Sequence, residues 1–139
     1  MSNYQNEEEI EAVVLGFESC TTTAADFTHA SHLTVAVWYL SHGTVSEALT
    51  KMRTNLFRFV DHHNVSREKY NETITLLWLR LAQKALAGLK GNLSLLETTN
   101  HVVAEFGDSQ IVFDYYSRER LCSPEAKQMW IEPDLKPLD

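Results

Sequence analysis

A chain of 139 residues that is 44% hydrophobic can bury one contiguous core and leaves no room for a second domain of ordinary size. Nineteen acidic against twelve basic residues give a formal charge of −7, a surface that repels phosphate backbones and anionic lipid. Neither nucleic-acid nor membrane binding is expected, because the densest basic set, Lys51, Arg53, Arg58, Arg67 and Lys69, is interrupted by acidic and apolar residues.

The opening stretch is polar and then acidic, without the basic start and apolar run of a secretory signal, so a cytoplasmic protein is expected. Cys20 and Cys122 are too few for a disulfide framework, and each is read as a buried, inert thiol. The strongest apolar stretch, 74–89, carries Arg80, Gln83 and Lys84 and cannot be an uninterrupted membrane span.

Residues 1–6 read as a flexible N-terminus. Ile10, Val13, Val14 and Phe17 recur at spacings of three and four, which predicts a first amphipathic helix over 7–18 with an acidic first turn. A second helix is predicted over 27–41, with Leu33, Val37 and Leu40 inward and Gly43 as a left-handed stop. Thr44-Val-Ser-Glu47 has the spacing of a capping box and opens a third helix, followed by a connector over 61–65. Ser66 is expected to cap a fourth helix reaching Gly88, apolar over more than half its circumference and therefore central.

A fifth helix starts at 94–97 and stops at Gly107. Short helices over 109–116 and from Ser123-Pro124 precede an extended tail over 131–139 that Ile131, Leu135 and Leu138 pin across the helices. Strand alternation is missing. The fold expected is an all-α single domain, 1–139, a bundle or orthogonal array of about five main helices plus short C-terminal ones.

His29-x-x-His32 on the second helix is the strongest hint of a site. At about 100° per residue both rings fall on or beside the arc of Leu33, Ala36 and Leu40. Two imidazoles one turn apart can ligate one divalent transition metal, and a third ligand from a facing helix would complete such a site. Glu72, at the start of the fourth helix, is the candidate third ligand, although wheel geometry puts Asn71 nearer the core stripe. With no metal, the same histidines would be half-buried and hydrogen-bonded to Asn71, Thr75 or Tyr39. Tyr39, Asn71, Thr75 and Trp78 are the expected lining of a small-molecule pocket. His62 and His63 read as solvated loop residues, and His42 as a cation at a helix C-terminus.

Three blocks, Phe27-Thr-His29-x-x-His32-Leu33-x-Val35-Ala36-x-x-Tyr39-Leu40, Lys69-Tyr70-Asn71-Glu72-Thr73-Ile74-Thr75, and 116–126 with 132–138, resemble a family of small uncharacterised all-helical bacterial proteins. The resemblance implies a stand-alone helical cytoplasmic protein without a defined activity. It also implies a histidine at many counterparts of Asn71, from which this chain departs.

The function expected is small-ligand or metal binding in a pocket centred on His29 and His32, and no reaction type follows from it. The alternative is a non-catalytic interaction module in which the third and fourth helices form a homodimer or receive a partner helix.

Overall fold

The computed structural model describes residues 4–89 and 91–138, whose regular structure is all helical, with no strand among them. Five main helices, α1 (Glu7–Glu18), α2 (His29–Ser41), α3 (Val45–His62), α4 (Glu72–Gly88) and α5 (Leu95–Phe106), are followed by three short ones, α6 (Val112–Tyr115), α7 (Arg118–Leu121) and α8 (Pro124–Gln128). Single 3₁₀ turns, Arg67–Lys69 and Ser109–Ile111, precede α4 and α6.

Local chemistry sets most of these boundaries. Asn6 accepts the Glu9 amide at the start of α1, and reciprocal capping boxes, Thr28 with Ser31, Thr44 with Glu47 and Ser94 with Glu97, open α2, α3 and α5. Pro124 takes a first-turn position of α8, where its missing N–H costs nothing. α1 and α3 end in Schellman motifs built on non-glycine residues in the left-handed region, Cys20 at φ 61° and Asn64 at φ 58°. Thr21 N–H reaches the Gly16 carbonyl at 3.0 Å and Val65 N–H the Val60 carbonyl at 2.8 Å, closing the two turns.

Several boundaries differ from the sequence expectation. Gly43 is not left-handed; the Glu47 carboxylate of the capping box folds over it, so that a Cβ there would stand 2.9 Å from Glu47 Oε1. Ser66 caps only the 3₁₀ turn, and α4 begins at Glu72 because Asn71, a better-placed cap, accepts the Ile74 amide at 2.9 Å. α3 runs on through His62, inside the expected connector. Arg118 to Arg120 form most of α7, a short helix that the sequence reading does not mark. From Tyr4 onward the supposedly loose N-terminus is tied down: its backbone exchanges hydrogen bonds with the Asn100 amide, and its hydroxyl meets Thr34 Oγ1 at 2.8 Å. Residues 1–3 and Asp139 lie outside the described residues.

α2 and α4 share the centre. α2 packs on α1, α3, α4 and α5, while α4 packs on α2, α3, α5 and α8. Around them a single apolar cluster extends from Val14 and Phe17 of α1 through Leu33, Leu77 and Val102 to Tyr116 and Leu121. Most of the apolar surface of α4, one of the two helices on which the alternative reading places a homodimer or partner helix, is thus covered by the chain itself. Large exposed apolar residues among those described are Leu15, Leu93, Met129 and Leu135, on α1, the α4–α5 loop and the tail. Leu135 accordingly does not pin the tail, whereas Ile131 and Leu138 do pack on the core. No helix among the described residues is long and apolar enough to cross a membrane.

Candidate functional site

Where the first turns of α2 and α4 meet the middle of α3 and the 3₁₀ turn Arg67–Lys69, the helices leave a cavity of about 480 Å³. Its floor is buried and apolar, formed by Ala36, Met52 and Leu79. Its mouth is formed by exposed residues, Ser66, Arg67, Lys69 and Ser109.

Between floor and mouth stand three aromatic pairs. Phe27 and His32 have ring centroids 4.4 Å apart, His29 and Trp78 4.5 Å, and Phe57 and Tyr70 4.8 Å. One member of each pair comes from a different element than its partner, so the rings hold three walls of the cavity in place.

The two histidines differ in their hydrogen bonding. His29 Nε2 lies 2.9 Å from the Phe106 carbonyl of α5; since a carbonyl can only accept, Nε2 carries the hydrogen of this contact. The His32 imidazole has no hydrogen-bond partner among the described residues. The residue is half-buried in the cavity lining, and burial, reinforced by the neighbouring His29, holds its pKa down at about 4. At neutral pH His32 is therefore an uncharged imidazole offering one donor and one acceptor.

Asn71 and Thr75 stand on the cavity side of α4, as expected, but their polar groups are engaged. Asn71 caps α4 through Oδ1 and donates from Nδ2 to the Leu121 carbonyl at 2.8 Å, while Thr75 Oγ1 donates to the Asn71 carbonyl at 2.9 Å.

Two of the expected site residues stand elsewhere. Tyr39 points away from the cavity: its hydroxyl donates to Glu18 at 2.5 Å and accepts from Asn55 at 2.8 Å, so burial, then the Glu18 contact, raises its pKa. Glu72 lies on the other side of Tyr70, clasped by Arg53 in a two-pronged ion pair and receiving the Tyr70 hydroxyl at 2.5 Å. Burial pushes the Glu72 carboxyl up, but the Arg53 and Tyr70 hydrogen bonds outweigh it and hold it below its ordinary value.

The donor set proposed for a metal, His29, His32 and Glu72, is therefore not assembled. Glu72 is turned to Arg53, His29 Nε2 to a carbonyl, and no cluster of three or more His, Cys, Asp or Glu suited to a metal occurs among the described residues. The physical reason is helix phase: residues 71 and 72 are about 100° apart on α4, and the cap faces inward.

Outside the cavity, His42 Nδ1 bonds the Trp38 carbonyl at 2.7 Å and His101 pairs with Glu105 at 3.1 Å. His63 is half-buried against Phe59 with Nε2 unpartnered, not solvated as expected. Cys20 is buried but Cys122 is exposed, the latter against expectation.

Phe27, Met52, Phe57, Arg67, Lys69 and Tyr70 belong to the cavity although sequence reasoning did not place them there. A signal existed for the last three. Two capping residues only five positions apart, Ser66 and Asn71, mark a broken helix start, and such a break turns intervening side chains off the helix surface.

No protein-family model, curated protein or solved structure matches this chain.

Proposed function

We propose that this protein binds a small, largely apolar, planar molecule in the cavity between α2, α3 and α4. The observation that carries the reading is His32: a neutral imidazole whose ring has no hydrogen-bond partner among the described residues, set in the wall of a cavity whose floor is apolar and whose walls are largely aromatic. Buried polar groups are ordinarily paired, so an unpartnered ring facing an open volume is suited to complete its hydrogen bonding with a ligand. A cavity of roughly 150 Å³ holds one benzene ring, so about 480 Å³ accommodates a fused or substituted ring system.

Metal binding fits less well, because His29 and His32 bring no acidic third ligand with them. An interaction role for the faces of α3 and α4 has less support too, because the apolar face of α4 packs against α2, α3, α5 and α8, and its exposed residues are mostly polar, Arg80, Gln83 and Lys84 among them.

Isothermal titration with naphthalene derivatives tests the proposal directly. Binding that is lost when Ala36→Leu fills the floor, with thermal unfolding unchanged or improved, supports it. Failure of every neutral and charged derivative to bind, or binding that Ala36→Leu leaves intact, overturns it.

A further inference from the structure

The chain carries nineteen acidic residues, yet among the described residues no Asp or Glu lines this cavity, whereas Arg67 and Lys69 both do. The 3₁₀ turn sorts its own charges: Lys69 stands at the cavity mouth and Glu68 in the separate groove beside Arg53 and Glu72. The two cations are not equivalent. Arg67 is already neutralised, its Nε and Nη2 reaching the Asp61 carboxylate at 2.9 and 2.5 Å and its guanidinium lying over the Phe57 ring. Lys69 has no partner among the described residues.

Two further features favour negative charge here. The first turns of α2 and α4 both border the cavity, through His29 and His32 and through Ile74 and Thr75, and helix starts carry partial positive charge. His32 also presents an N–H that an anion would accept from.

Taking the cavity as a ligand site, as proposed above, we propose that its ligand is an aromatic carboxylate. The ring system lies among Phe27, His29, His32 and Trp78, and the single carboxylate is directed to Lys69 at the mouth. A dianion or phosphate ester fits less well, because Lys69 is the single cation of the lining left unpaired among the described residues and offsets one negative charge, while the neutral imidazole adds a hydrogen bond but no charge.

Titration of the full-length chain with 2-naphthoate, 2-naphthalenemethanol and 2-naphthylmethylammonium separates the proposals. The carboxylate should bind best and lose about tenfold in affinity in Lys69→Met, recover in Lys69→Arg, and weaken as salt is raised, while the alcohol responds to none of these changes. If the alcohol or the ammonium binds as tightly as the carboxylate, or Lys69→Met leaves 2-naphthoate within about twofold, the carboxylate assignment fails. The cavity reading survives that result as long as Ala36→Leu still abolishes binding of the alcohol. Absence of binding by all three compounds removes both.

Discussion

Asn71 donates a hydrogen bond from Nδ2 to the carbonyl of Leu121, a residue fifty positions later, at 2.8 Å, and this contact joins the cavity wall to the C-terminal helices. The same side chain caps α4 through Oδ1, so one residue starts the central helix and anchors α7 against it. Replacing it with alanine removes the cap, worth about 1 kcal/mol, and leaves a buried carbonyl unpaired at about 1–3 kcal/mol. Asn71→Ala should therefore lower stability by about 2–4 kcal/mol in urea titrations. Asn71→Asp should fall between wild type and alanine, because a carboxylate keeps the cap but cannot donate to Leu121. Equal losses in the two variants would mean that the Leu121 contact alone carries the effect.

A histidine in place of Asn71 would supply a ring nitrogen at a comparable position. It would not reproduce the amide's paired donor and acceptor. The local role of Asn71 could thus be read from its capping chemistry, but its partner could not. Leu121 lies in a helix of four residues whose sequence, Arg-Glu-Arg-Leu, shows no helical period long enough to notice. The five long helices were legible because each repeats an apolar pattern over three or more turns between recognisable caps. His29, His32, Asn71, Thr75 and Trp78 were legible as neighbours because two helix faces determine them. Tyr39 and Glu72 were misplaced because a 100° error in phase, or a competing partner such as Arg53, redirects a side chain that sequence spacing alone brings close.

Asn64 ends α3 in the left-handed region while making no side-chain bond of its own, so its cost is conformational. Asn64→Gly should raise the thermal midpoint slightly, and Asn64→Ala should lower stability by about 1 kcal/mol, since alanine tolerates that backbone less well than asparagine. A stabilised alanine variant would contradict the Schellman assignment.

Glu72 and Arg53 give the contrasting case of a polar cluster beside the cavity but outside it. With the Glu72 side chain 12% exposed and that of Arg53 38% exposed, the pair is partly screened. Glu72→Ala should cost about 1–2 kcal/mol through the stranded Tyr70 hydroxyl and the lost ion pair. Affinity for a cavity ligand should stay within about twofold, because Glu72 does not line it. A tenfold loss of affinity without unfolding would place the carboxylate in the site after all.

His32 makes the folded state sensitive to mild acid. Above pH 6.5, its ordinary value, the imidazole is neutral whether the chain is folded or not, and nothing is lost. Below that, the unfolded chain takes up a proton that the enclosed ring refuses until about pH 4, so stability falls with pH across this window. Between about pH 7 and pH 5 the loss attributable to His32 is about 2 kcal/mol, on the usual relation between pKa and free energy. His32→Phe, which keeps an aromatic wall against Phe27 but cannot titrate, should flatten the slope of urea stability against pH by that amount. The carboxylates with lowered values, Glu47, Asp61, Glu72 and Asp134, act lower in the pH range and should decline equally in both proteins. Parallel pH profiles for wild type and His32→Phe would show that the ring accepts a proton in place, and that it is not enclosed as the structure has it.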